Sequence, residues 1–171
     1  MTAIHDKPPE TLQAVLQAMQ AQQADQMVVV LDRATPEASG CVPRDDGFQP
    51  IDLPGKPGWR SPCISFNAGL EAVTGDIVVL NHSDIVHGTG NLSVVRSHFA
   101  EHPNSVMFGM VVESDPSKLE GAGNAGPLLM GTGNPRPLTW LMAVQTKDLR
   151  DIGGWDLAYM QGVCYEDDDL T

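Results

Sequence analysis

Four short apolar segments separated by stretches of helical periodicity constrain the fold of this chain most. Residues 27–31 read Met-Val-Val-Val-Leu and residues 77–80 read Ile-Val-Val-Leu, and two further segments cover 105–112 and 139–144. Uninterrupted apolar runs of this length are typical of strands buried on both faces of a parallel sheet. The pattern therefore predicts an α/β fold, a three-layer αβα sandwich with a mostly parallel central sheet.

Helical periodicity fills the intervals between these segments. A helix is predicted to start at Thr11, with that residue as its cap, because apolar residues follow at i, i+3, i+4 and i+7, namely Leu12, Val15, Leu16 and Met19. Residues 2–5 precede it as a short first strand, so the chain opens with a βαβ unit. Residues 65–73 and 88–100 predict two further helices, and residues 147–151 a short one.

Two long segments lack periodicity. Residues 33–62 and 113–137 are rich in Gly and Pro, and we expect loops there, since long loops in compact domains are usually functional or mobile. The chain has 171 residues, enough to bury a core as a single domain over 1–171.

Charge and composition exclude several classes of partner. The formal net charge is −12, and such a surface repels the phosphates of nucleic acids. No apolar run approaches the roughly 20 residues that span a bilayer, and the polar start of the chain does not resemble a signal peptide. The three cysteines, Cys41, Cys63 and Cys164, are widely spaced and predict reduced thiols. We therefore expect a cytoplasmic protein without a membrane span or a nucleic-acid partner.

A polar cluster follows the predicted strand at 77–80. Asp84 comes after the carboxyl end of that strand, where ligands of open α/β sheets bind, and His82 lies two residues earlier. A carboxylate at this position would hold Mg²⁺ or Mn²⁺ between two phosphates. The alternative is a polar turn with no ligand.

Two motifs near the end of the chain also carry candidate chemistry. Residues 166–169 are four adjacent acids, one of which would deprotonate a sugar hydroxyl; the alternative is a solvated acidic tail. Gly153-Gly154-Trp155-Asp156 would bring backbone and an indole face close to a sugar; the alternative is a structural turn with a core Trp.

Taken in order, these pieces resemble the GT-A glycosyltransferases, family 2 in particular, with a carboxyl-terminal motif like that of the galactosyltransferases. Segments across nearly the whole chain carry the resemblance. They are the Lys-Pro-Pro-Glu-x-Leu start of the first helix (7–12), the strand and acid at 27–32, the Asn-Ala-Gly-Leu-Glu-Ala-Val-Thr-Gly-Asp segment at 67–76 with its strand, Met-Ala-Val at 142–144, Ile-Gly-Gly-Trp-Asp at 152–156 and Glu-Asp-Asp-Asp-Leu at 166–170.

The resemblance implies a metal-assisted, inverting transfer of a sugar from a nucleotide-diphosphate donor, most simply a UDP-sugar, to a glycan or other hydroxyl acceptor. Asp32, Asp84 and Arg60 would bind the donor, and Asp84 with His82 would hold Mn²⁺ or Mg²⁺. The acceptor and donor-sugar pocket would be formed by Gly154, Trp155, Asp156 and Glu166. Asp167 would be the general base that takes the proton of the acceptor hydroxyl.

The chain departs from the family pattern at several points. His82 stands where the family has the first Asp of its Asp-x-Asp motif, and Phe66 stands where many relatives have Arg. The chain also ends soon after Leu170, before the helix and downstream His that complete the metal site in relatives. We therefore expect a domain that lacks its carboxyl-terminal part, with exposed apolar surface and a possible homo-oligomer. The alternatives are a non-catalytic GT-A-like module that binds nucleotide sugar or glycan, and a nucleotidyltransferase.

Overall fold

The computed structural model describes residues 1–44, 46–55, 61–109 and 141–161. Within these ranges the strands are β1 (Thr2–Ile4), β2 (Met27–Asp32), β3 (Phe48–Leu53), β4 (Ile77–Asn81), β5 (Met107–Phe108) and β6 (Leu141–Gln145). The helices are α1 (Pro9–Ala21), α2 (Pro36–Gly40), α3 (Cys63–Ala72), α4 (Asn91–Glu101) and α5 (Thr146–Asp151), and a 3₁₀ helix follows at Leu157–Gln161. The α/β prediction is confirmed.

The strands form two three-stranded sheets that meet at the start of β1. In one sheet β1 and β3 both pair parallel with β2, and in the other β4 and β5 both pair antiparallel with β6. The Met1 amine donates to the Val79 carbonyl at 2.8 Å, and the Asn81 amide donates to the Met1 carbonyl at 2.9 Å. These two bonds flank Leu80 as in a parallel pair. The order across the structure is therefore β3-β2-β1-β4-β6-β5, with a parallel part and an antiparallel end.

Alternate residues of the buried strands face two separate cores. On one face, Val28 and Val30 of β2 pack with β4, β6, α3 and α5. On the other face, Val29 and Leu31 pack against α1 and α2. All six residues of β2 are buried, as the continuous apolar run predicts. Helices on both faces of the strands give the three layers.

Helix α1 is stabilised by burying one apolar face, as its periodicity predicts. The residues of that face, Leu12, Val15, Leu16 and Met19, are all buried. It begins earlier than expected, at Pro9, with Pro8 at the N-cap and without a side-chain cap bond. Proline fits the first helical position, because its missing N–H would have no partner there. Thr11 as the cap is therefore wrong.

The expected loop over 33–62 is also wrong in part. It contains α2, whose N-cap Thr35 accepts a hydrogen bond from the Ala38 amide at 3.2 Å, and β3, which pairs with β2 along its whole length. Helices α3, α4 and α5 and strands β4 and β6 lie close to their predicted positions. The predicted strand at 105–112 is described as β5 up to Phe108, and 110–112 lie outside the described residues. The predicted loop at 113–137 lies there as well.

None of the helices in the described ranges is both long and apolar enough to cross a membrane.

Candidate functional site

The carboxyl ends of β1, β2 and β4 meet at one edge of the structure, because these strands run parallel. After β1 the chain continues to β2 on one side, and after β4 it continues to β5 and β6 on the other side, so the strand order switches between β1 and β4. Open α/β sheets bind ligands at such a switch point. Five charged or titratable side chains follow these strand ends, and we call them the carboxyl-edge cluster: His5, Lys7, Asp32, Arg33 and Asp84.

Asp32, the last residue of β2, is the buried centre of this cluster, with an exposed side-chain fraction of 0%. Its Oδ2 accepts a hydrogen bond from Ser65 Oγ at 2.5 Å, and its Oδ1 lies 3.4 Å from Arg33 Nε. His5 Nδ1 donates to the Asp32 carbonyl at 2.8 Å, since a carbonyl only accepts. The carboxylate is therefore surrounded by protein groups. It orients His5 and Arg33, which are partly exposed at the surface.

Arg33 and Ser65 are members of this arrangement that sequence reasoning missed. Arg33 has a positive φ of 53°, an uncommon conformation for a residue with a side chain. Within the described ranges its buried Nη2 has no hydrogen-bond partner. Ser65 lies on α3, 33 residues after Asp32 in the chain. Arg33 directly follows Asp32, so adjacency in sequence was the available signal for that contact. The contact of Ser65 depends on how α3 packs on β2, which sequence spacing does not predict.

Asp84 pairs with Lys7 across the strand switch. Lys7 Nζ lies 2.6 Å from Asp84 Oδ2, and the side chains are 39% and 46% exposed. His82 is half-buried, with its ring centroid 5.7 Å from that of Phe66. The described ranges contain no group of three His, Cys, Asp or Glu side chains that could hold a metal ion. Asp84 thus lies at the predicted edge, and its nearest charge is an ammonium.

The Gly153-Gly154 turn brings α5 back onto α3. Asn67 of α3 makes two hydrogen bonds to the backbone of Trp155, which follows this turn. Its Nδ2 donates to the Trp155 carbonyl at 2.7 Å, and its Oδ1 accepts from the Trp155 amide at 2.9 Å. The indole of Trp155 is 1% exposed and lies 5.0 Å from the Phe66 ring. Asp156 is exposed and accepts a hydrogen bond from the Ala158 amide. In this arrangement Trp155 packs in the core, which is the alternative that the sequence left open.

The two glycines of this turn allow a matched prediction. Both have positive φ, 89° at Gly153 and 74° at Gly154, but a Cβ on Gly154 would collide with the Asn67 carboxamide, whereas one on Gly153 would meet nothing within 4 Å. We expect Gly153→Ala to lower the free energy of unfolding by about 1–2 kcal/mol, from backbone strain alone. Gly154→Ala should lose about 1–3 kcal/mol more from the collision. Urea denaturation of both variants measures the difference, and equal losses would contradict the tight approach of Asn67.

A cavity of about 240 Å³ lies beside β4, between the end of α1 and α4. It runs along the strand from Asp76 and reaches the carboxyl end at Asn81, near His87. Within the described part of the chain, Asn81 Oδ1 and His87 Nδ1 are buried without a hydrogen-bond partner. Burial lowers the pKa of His87, so its imidazole is neutral at pH 7. The polar end of the cavity thus lies at the carboxyl end of β4.

The structure therefore places Asp32, His82 and Asp84 at or just after the ends of parallel strands and places Gly154, Trp155 and Asp156 after α5. Three predicted site residues, Arg60, Glu166 and Asp167, lie outside the described residues.

Comparison with known proteins identifies structural relatives only. No family model matches the chain, and no curated protein matches it significantly in sequence. The mannosyltransferase PcManGT from Pyrobaculum calidifontis, in complex with GDP-Man and Mn²⁺, superposes with a TM-score of 0.61 and 16% identity over 91% of this chain. TarS from S. aureus superposes with a TM-score of 0.65 and 17% identity over 97% of this chain. A complex of TarS with UDP-GlcNAc gives a TM-score of 0.64 and 16% identity over 91%.

The chain spans about half the length of these structures, namely 47% of PcManGT, 52% of TarS and 48% of the TarS complex. At such low identity the shared property is the fold. The chain therefore has the α/β fold of this mannosyltransferase and of TarS.

Proposed function

We propose that the chain is the nucleotide-binding part of a glycosyltransferase, which moves a sugar with inversion from a nucleotide-diphosphate sugar to a hydroxyl acceptor. The observation that carries the proposal is the carboxyl-edge cluster, because the chain places charged side chains after three parallel strand ends at a strand switch. The fold that builds this edge is shared with proteins captured in complex with GDP-Man and with UDP-GlcNAc.

In this proposal the donor nucleotide lies across the ends of β1, β2 and β4. Asp32 acts through the groups that it orients, His5 and Arg33, and Arg60 contributes from outside the described residues. The nucleotide diphosphate lies near Asp84. The sugar and the acceptor lie towards Gly154, Trp155, Asp156 and Glu166, with Trp155 supporting the turn from the core. Asp167 takes the proton of the acceptor hydroxyl as that oxygen attacks the anomeric carbon, and the bond from that carbon to the diphosphate oxygen breaks, which releases the nucleoside diphosphate with the electron pair.

The described residues do not fit a Mg²⁺ or Mn²⁺ site by themselves. These cations take about six ligands, preferentially oxygens. The described ranges offer Asp84 and His82, and the Asp84 carboxylate is already paired with Lys7. The expected cation would need further ligands from the acids at 166–169, which lie outside the described residues.

The first test is calorimetric titration of UDP and GDP into the protein. We expect one of them to bind with a dissociation constant of about 1 μM to 1 mM, the usual range of Michaelis constants. Asp84→Trp, which fills the carboxyl edge with a bulky side chain, should weaken this binding at least about tenfold, a loss of about 1.4 kcal/mol. Asp151→Trp is the matched control, because Asp151 is also an exposed, lysine-paired acid and lies on α5 at the opposite edge.

Failure of both nucleotides to bind, or equal binding by the two Trp variants, would overturn the proposal. Turnover is then tested with UDP-sugars and GDP-sugars and a panel of hydroxyl acceptors. The second candidate, a binding module without catalysis, is favoured by the Lys7–Asp84 pair, since that pair occupies the carboxylate expected to bind metal. Saturable nucleotide-sugar binding with neither transfer nor hydrolysis would support that candidate.

A further inference from the structure

Lys7 joins two parts of the chain that flank the strand switch. It lies in the turn between β1 and α1, two residues before the first helical residue, while Asp84 lies 77 residues later in the turn after β4. Both side chains are partly exposed, so a ligand that approaches this edge from solvent can reach them. An ion pair this exposed adds little to stability. Its position at the switch therefore points to a role in binding.

The Lys7–Asp84 ion pair opposes the binding of a metal ion by Asp84. A divalent cation that binds Asp84 Oδ2 must first displace an ammonium group 2.6 Å away. In the part of the chain that the structure describes, no third ligand side chain compensates for that displacement. The described residues at this edge thus do not fit the metal that the resemblance implies, and they hold a protein cation beside the carboxylate expected to bind it.

The Lys7 ammonium has the chemistry needed to bind a diphosphate. It carries three N–H donors, so it can donate to Asp84 and to a phosphate oxygen at the same time. The amino terminus of α1, a helix of 13 residues, lies at the same edge, and its dipole favours an anion there. Glu10 in the first turn opposes this effect, which leaves the ammonium as the principal attraction that this turn offers to an anion.

We propose that Lys7 supplies the positive charge for the donor diphosphate and does so in place of a divalent cation, with Asp84 as the residue that positions its ammonium. The inference rests on the proposed function, since it assumes that a nucleoside diphosphate binds at this edge. It goes beyond that function in predicting that donor binding does not require a metal.

The test is calorimetric titration of UDP and GDP in the presence of EDTA and, separately, of Mn²⁺. We expect the wild type to bind equally well in both. Lys7→Met, which keeps the aliphatic stem and removes the charge, should weaken binding about tenfold to a hundredfold, the effect of losing one charge-assisted hydrogen bond. Lys7→Arg should restore most of it. Asp84→Asn should weaken binding by less than Lys7→Met does, because the ammonium remains but loses the carboxylate that positions it.

Lys147→Met is the matched control, because Lys147 is also an exposed lysine paired with an aspartate, and it lies on α5 at the opposite edge of the sheet. It should bind like the wild type. Lys7 is partly exposed, so thermal unfolding should confirm that its variants fold. Binding that requires Mn²⁺, disappears in Asp84→Asn and persists in Lys7→Met would overturn the inference while leaving the proposed function intact. Absence of nucleotide binding under every condition would overturn both.

Discussion

Replacing Trp155 with alanine is expected to lower the free energy of unfolding by about 3–5 kcal/mol, the usual effect of removing a large aromatic side chain from a core. The indole is 1% exposed, packs on Phe66, and belongs to the core that joins β2, β4 and β6. Domains of this size are stable by only about 5–15 kcal/mol, so the variant should unfold at a much lower urea concentration. Urea denaturation followed by circular dichroism measures the change.

Leu157→Ala is the control for this prediction. Leu157 follows Trp155 by two residues but is 51% exposed, so its truncation should change stability by no more than about 0.5 kcal/mol. The comparison also separates the two roles that the sequence allowed for Trp155. A tryptophan that served mainly to stack on a sugar would give a variant with wild-type stability and weakened sugar binding, and that result would contradict the core role.

The second large effect is expected at Asp32. Asp32→Ala should lower the free energy of unfolding by about 3–5 kcal/mol, because it removes one partner of a buried charged network and leaves the others without compensation. The groups affected are the Ser65 hydroxyl at 2.5 Å, the Arg33 guanidinium at 3.4 Å and the His5 imidazole at 3.9 Å. Asp32→Asn keeps an acceptor for Ser65 and should lose less. Thermal and urea unfolding of both variants provide the measurement.

Asp52→Ala is the matched control, since Asp52 lies on the neighbouring strand β3, is 64% exposed and contacts Arg44 at 3.8 Å. An exposed ion pair of this kind contributes about 0–1 kcal/mol. A structural role for Asp32 predicts a large difference between the two alanine variants. Comparable stability, together with nucleotide binding lost only in Asp32→Ala, would show instead that the carboxylate contacts the donor directly.

The sequence predicted the elements that have a strong local pattern. The continuous apolar run of β2 and the helical spacing of α1 report burial directly, because every apolar residue of these two patterns is buried. The run at β4 alternates instead, with Val78 and Leu80 buried and Ile77 and Val79 half-buried. Strand β3 was missed because its sequence, Phe-Gln-Pro-Ile-Asp-Leu, is half-buried and contains Pro50. Proline is tolerated at a sheet edge, and in the described ranges β3 pairs with β2 alone.

The candidate site was predictable in outline only. The rule that ligands bind beyond parallel strand ends identified Asp84 from the sequence, and the family resemblance identified Asp32. The side-chain contacts around the site could not be identified in this way. Lys7 and Asp84 are separated by 77 residues in the chain, and Asn67 and Trp155 are separated by 88. Such contacts arise from strand order and helix packing, and no local pattern encodes them. The burial of Trp155 could not be predicted either, because the glycine turn is compatible with an indole in the core and with an indole that faces a ligand.

The two cores differ in how much of the chain each one needs, and this bears on the order of folding. Among the described residues, the core beneath α1 and α2 is formed by residues between Ile4 and Phe48, whereas the opposite core combines β2 with α3, β4, β6 and Trp155. Contacts between residues close in sequence form sooner, because less loop entropy is lost in closing them. During synthesis, the first βαβ unit with β3 can therefore collapse on one face while the ribosome is still adding β6. Its other face stays partly uncovered until α3, β4 and β6 have followed and packed against it.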